Sequence, residues 1–223
     1  MDPNRKSWNQ QQQVLRKALS QPADHQQAIE WFLVQHAAVH SARMSRSTAW
    51  SLADEVFQDV TGDTMRIIPS GCEHSIVWVI WHLARIEDVT MNLLLAGSPQ
   101  ILLRDGWLER MGVRQYDTGN TLDQEGVAKL SATINTKVLM DYRLAVGRRT
   151  RQVVKRLQPD ELKQKVQASR LQQVKEQGAV TEAANAILEY WGGLTGAGLL
   201  LMPPTRHNFI HLNEVLHIKQ KIR

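Results

Sequence analysis

IVWVIWHLARIEDV, residues 76–89, contains the strongest apolar run of the chain and a histidine set inside it. Helical spacing puts Trp78 and His82 on adjacent turns of one face and Trp81 and Arg85 on a neighbouring strip. Ile76, Ile80 and Leu83 turn toward an apolar core, which leaves His82 at the boundary between packing and a polar cavity. The run is far shorter than a membrane span. It reads as part of a long helix that starts after Ser70 or Gly71, extends to about Leu95, and is closed by Gly97-Ser98-Pro99. Two readings of His82 stand side by side: a hydrogen-bonded core histidine between the core anchors Trp78 and Trp81, or a metal ligand with aromatic walls.

A second stretch, TRHNFIHLNEV at residues 205–215, bears on that choice. His207 and His211 are four apart and share a helix face, with Glu214 one turn further on. Two imidazoles on one helix and a third on a facing helix can close around a divalent metal. The alternatives are N-terminal capping for His207 and ordinary hydrogen bonding for His211.

Periodicity makes the remaining chain helical. Helices are predicted from about Gln11 to Leu19, Asp24 to Ser41, Ala49 to Val60 and Leu122 to Val146, with Gly147 a stop or kink. Another starts at Pro159 and reaches Gln177, and residues 181–188 form a further segment. Pro203-Pro204 punctuates the chain, and Thr205 is expected to cap the final helix. With no repeat and no linker, residues 1–223 read as one all-α domain.

Composition narrows the function. At 223 residues and 43 % hydrophobic the chain can bury a core without a metal staple. One cysteine, Cys72, allows no internal disulfide, and the polar N-terminus carries no signal-peptide pattern, so the expected compartment is the cytoplasm. The net charge of +5 is concentrated in Arg143, Arg148, Arg149, Arg151, Lys155 and Arg156, with Lys219, Lys221 and Arg223. No aromatic interleaving or recognition helix accompanies that patch, so nucleic acid is not the expected partner. Cys72, His74, His25, His36, His40 and His217 rank below the triplet as ligands, the first two read as cap or surface packing.

WVIWHLARIEDV (78–89) and RHNFIHLNE (206–214), with their long separation, resemble the DinB-like (DinB/YfiT-like) metalloprotein superfamily. The resemblance implies an up-down-down-up four-helix bundle with one ligand histidine matching His82 and a pair matching His207 and His211. An N-terminal helical extension and residues 148–200 would be additions to that frame, and similar bundles form homodimers. Glu214 stands where a glutamine often follows the paired histidines.

Three imidazoles leave open positions on zinc and also suit nickel or iron. The leading expectation is a hydrolase that uses metal-activated water on a small-molecule substrate, with Glu214 orienting a ligand histidine or receiving a proton. The alternatives are an S-transferase using a low-molecular-weight thiol such as bacillithiol or mycothiol, and a non-catalytic metal- or small-molecule-binding or dimerisation protein. In the thiol reading Arg85 or Arg143 could orient the ligand, set against salt bridges to Glu87, Asp88 or Asp141.

Overall fold

Capping chemistry sets out the helices of the computed structural model, which describes residues 2–222. The Asp2 side chain accepts from the backbone N–H groups of Asn4 and Arg5 and opens α1 (Pro3–Leu19). After α2 (His25–Ala38), Ser41, Ser51 and Thr61 cap α3 (Ala42–Ser45), α4 (Leu52–Phe57) and α5 (Gly62–Arg66) through their hydroxyls. Ser75 does the same for α6 (Ile76–Asp88), which passes into a π-helical segment, Val89–Leu95. The chain continues through α7 (Trp107–Met111), α8 (Gln124–Thr133), α9 (Thr136–Val154), α10 (Ala168–Glu176) and α11 (Asn185–Gly192). Next come α12 (Gly196–Leu201), a second π-helical segment (Met202–His207) and α13 (Asn208–Ile222).

Helix α6 is the axis of this all-α fold. All thirteen of its residues are buried, with α9, α13, α8, α5 and the Met202–His207 segment packed around it. A helix covered on every side must be apolar nearly all round, and any ionisable group on it has to find a partner inside the protein. Two apolar clusters result. One gathers Trp78, Trp81, Leu83, Tyr142, Phe209 and Leu212, the other Leu15, Phe32, Met91, Leu94, Trp191 and Leu200. No helix among the described residues is long and apolar enough to cross a membrane.

Several predicted boundaries move, each for a local reason. The first helix starts at Pro3 because Asp2 supplies a cap that the polar composition had obscured. The helix expected over Leu122–Val146 is two, since the Asn135 side chain accepts from the Val138 N–H and starts α9 afresh. Gly147 lies inside α9: a Cβ there would come within 2.9 Å of the His40 ring and 3.0 Å of Met44, so its lack of a side chain admits a neighbour rather than ending the helix. Pro159 opens only a 3-10 turn, and α10 begins at Ala168. Pro203-Pro204 does not break the chain path. The wider π turn accommodates both rings, and the Thr205 hydroxyl donates to the Leu200 and Leu201 carbonyls instead of capping a new helix.

Candidate metal centre

One face of α6 straps a loop in place. Arg85 Nε, Trp81 Nε1, His82 Nδ1 and Trp78 Nε1 donate in turn to the backbone carbonyls of Tyr116, Asp117, Thr118 and Gly119, at 3.0, 3.0, 2.8 and 3.1 Å. Positions 78, 81, 82 and 85 lie on adjacent turns of one helical strip, so four successive loop carbonyls meet four N–H donors on the helix. Gly119 closes the strap with φ +77°, and a Cβ there would stand 3.2 Å from Trp78 Nε1.

This strap decides the chemistry of His82. A carbonyl can only accept, so Nδ1 of His82 carries the proton and Nε2 presents a lone pair. That Nε2 faces His207 Nε2 at 3.1 Å. His211 donates from Nδ1 to Glu214 Oε2 at 2.6 Å, which leaves its Nε2 free in the same way. The three rings form a nearly even triangle, with centroids 5.0, 5.0 and 4.6 Å apart and interplanar angles of 58°, 71° and 68°. One nitrogen from each of His82, His207 and His211 falls within 4.8 Å of the other two.

These residues fit a divalent metal. A four-coordinate zinc with bonds of about 2.0–2.1 Å separates its ligand nitrogens by about 3.3 Å, close to the observed His82–His207 spacing. Two of the three imidazoles have their Nδ1 atoms engaged by outer acceptors, which is the usual way a ligand histidine is held. Burial lowers the His82 pKa to about 3, aided by the neighbouring His211, and holds His207 well below its ordinary value, aided by His82 and His211. Both rings are neutral at physiological pH, the form that ligates.

The outer rim belongs to Glu214 and His74. Glu214 Oε1 accepts from His74 Nδ1 at 2.8 Å while Oε2 accepts from His211. Burial raises the Glu214 pKa, but the hydrogen bonds from His211 and His74 outweigh it and bring the group to about 2. His74 stacks on Trp78 (3.5 Å, 4°) and Trp78 stacks on His82 (4.7 Å, 8°), so three residues spaced by four form one column that leads from the half-exposed rim to the buried ligand. Sequence reading put His74 down as cap or surface packing. The spacing of four between 74, 78 and 82 is the sequence signal of this column, and His74 itself is outside the ligand set.

Other candidates fall elsewhere. Cys72 packs at the edge of the apolar core, His217 is exposed, and His25 bonds to the Leu157 carbonyl. Arg85 is fully buried and pairs with Asp88, Tyr142 and Gln100, while Arg143 is buried against the Val39 carbonyl and Asn208. Neither stands at the rim, and of the salt bridges expected for them Arg85–Asp88 is present. Arg148, Arg149 and Arg151 of the basic segment donate to the Arg43 carbonyl, to Asn92 and Ser98, and to the Leu33 carbonyl. His36 and His40, expected to be weaker ligand candidates than the triplet, gather around Glu87 in a second cluster, and they share the HxxxH spacing of 207 and 211.

Fold and site together define an all-α protein with His/Glu clusters able to coordinate a divalent metal. The family model of the DinB superfamily matches residues 47–189, more than half of the chain, and the protein belongs to that superfamily. The matched span includes His82 and Glu87 but ends before His207 and His211 and begins after His36 and His40. No curated protein matches the sequence.

Proposed function

We propose that this protein is a metal-dependent hydrolase of small molecules, with zinc, nickel or iron held by His82, His207 and His211. What carries the reading is the convergence of three imidazoles from α6, the Met202–His207 segment and α13, with the Nδ1 atoms of His82 and His211 already committed to the Thr118 carbonyl and Glu214. When bound, such a metal supplies Lewis acidity and acidifies water. The chain does the rest. The strap from Tyr116 to Gly119 fixes the His82 ring, the Trp78 stack shields it, and the Glu214 carboxylate holds His211 and His74 at the rim. The frame of the reading is a single cytoplasmic DinB-type domain, an up-down-down-up bundle with added helices, acting as a homodimer.

The test is to reconstitute metal-free protein with each metal and follow hydrolysis of activated esters and amides, with and without low-molecular-weight thiols. Metal-dependent hydrolysis that is lost in His211→Ala supports the proposal. Turnover only with a thiol replaces hydrolysis by thiol transfer, a reading weakened by the burial of Arg85 and Arg143, its expected anchors. Tight metal retention with no turnover leaves a binding protein, and light scattering reads the dimer.

A further inference from the structure

A second buried polar cluster lies on α6 beyond the histidine triplet. Glu87, five residues after His82 on α6, is 1 % exposed and meets His36 Nε2 at 2.8 Å through Oε1 and His40 Nε2 at 2.8 Å through Oε2. The two imidazoles, 0 % and 1 % exposed, come from the end of α2 and the residues just after it, at a spacing of four. Thr150 Oγ1 donates to Oε1 at 2.7 Å and Asn208 Nδ2 to Oε2 at 3.2 Å. The buried Arg143 lies behind Asn208, donating to its Oδ1 at 2.9 Å.

We propose that His36, His40 and Glu87 form a second divalent-cation site, structural in kind and independent of the triplet. Three donors from two elements present one ligand atom each within 4.8 Å of one another, a set of two imidazoles and one carboxylate that suits zinc or an iron-class ion. Nδ1 of His36 and Nδ1 of His40 are both buried without a partner, so the hydrogen bonds to Glu87 alone leave each ring half satisfied. An ion held by the two Nε2 atoms and the carboxylate would take the place of the Nε2–Glu87 hydrogen bonds, and the set rests on that convergence of ligand atoms. Thr150 and Asn208 complete the set as outer donors that orient the carboxylate, the role such groups play around metal-bound carboxylates. The side chains are enclosed, which leaves no approach for a substrate. Asn208 directly follows His207, so an ion here would brace the helix start that presents the triplet's second ligand.

Metal-free protein is incubated with excess Zn²⁺ or Co²⁺, desalted, and analysed for metal per chain in the wild type, His211→Ala and His40→Gln. His211 is partly exposed, so its variant is expected to fold, and the glutamine at 40 retains an N–H donor for Glu87. The proposal expects one tightly held ion in folded His211→Ala, with X-ray absorption showing two imidazoles and oxygen around it, and loss of that ion in the His40→Gln/His211→Ala double variant. Wild-type protein then holds two ions if the triplet also binds, and one if the triplet reading fails. Folded His211→Ala that retains no ion overturns the proposal and leaves Glu87 as a metal-free carboxylate satisfied by four donors. If the His40→Gln variants fail to fold, the His211→Ala occupancy and ligand spectrum decide alone.

Discussion

Replacing Glu214 separates a site that is merely crowded with histidines from one built to hold a metal. In the structure Glu214 is 30 % exposed and each of its oxygens is engaged, Oε2 by His211 at 2.6 Å and Oε1 by His74 at 2.8 Å. Glu214→Ala removes the acceptor that fixes the His211 tautomer, and the ring becomes free to turn its proton toward the other two imidazoles. Outer partners of this kind are worth about 10–100-fold in metal affinity, or about 1.4–2.7 kcal/mol. Water can reach the partly exposed position and replace some of the lost bonding, so the lower half of that range is expected, about 10–30-fold. Glu214→Gln keeps one acceptor oxygen for two donors and is expected to fall between wild type and alanine. The assay is competition for Zn²⁺ against a chromophoric chelator at pH 7.5, with urea unfolding of the metal-free proteins as control. Metal affinity of Glu214→Ala within about threefold of wild type, with stability unchanged, would refute the orienting role and with it the assignment of His211 as a held ligand.

Asp88 accepts from Arg85, Tyr142, Asn92 and the backbone N–H groups of Ile101 and Leu102, all without solvent. Asp88→Asn is expected to cost about 3–5 kcal/mol in urea unfolding because Arg85 is left as an uncompensated buried charge, and a loss under about 1 kcal/mol would contradict the network. Gly119→Ala, at φ +77° and against Trp78, is expected to lose about 1–3 kcal/mol and to weaken metal binding through the Thr118–His82 bond, as read by the same competition assay. Metal-free protein is expected to lose stability as the pH falls below 6.5. Burial, only partly opposed by Glu87, lowers the His40 pKa from 6.5 to about 4, so between those values the unfolded chain binds a proton that the folded chain refuses. The loss from His40 alone approaches about 3 kcal/mol by pH 4, and His82 and His207 act in the same direction. Urea midpoints that stay level from pH 7 to pH 4.5 would count against this reading.

Periodicity and composition alone make the chain helical, place residues 76–89 inside it and put His207 and His211 on one face, while the family resemblance joins His82 to that pair. Those features are periodic or local: a four-residue return on one helix, an apolar run with a single histidine, a serine before it. The family frame was legible for the same reason, since its motifs sit in two short segments. Tertiary structure alone decided what the polar groups of α6 do. Whether Arg85 serves a ligand or an ion pair depends on what covers the helix, and burial on all sides forces it onto Asp88, Tyr142 and the Tyr116 carbonyl. The tautomer of His82 is set by a loop carbonyl 36 residues away. His36 and His40 carried the right spacing, but only the packing of α2 against α6 and α9 brings Glu87 and Thr150 to them, and no pattern within one segment encodes the side chain waiting on another.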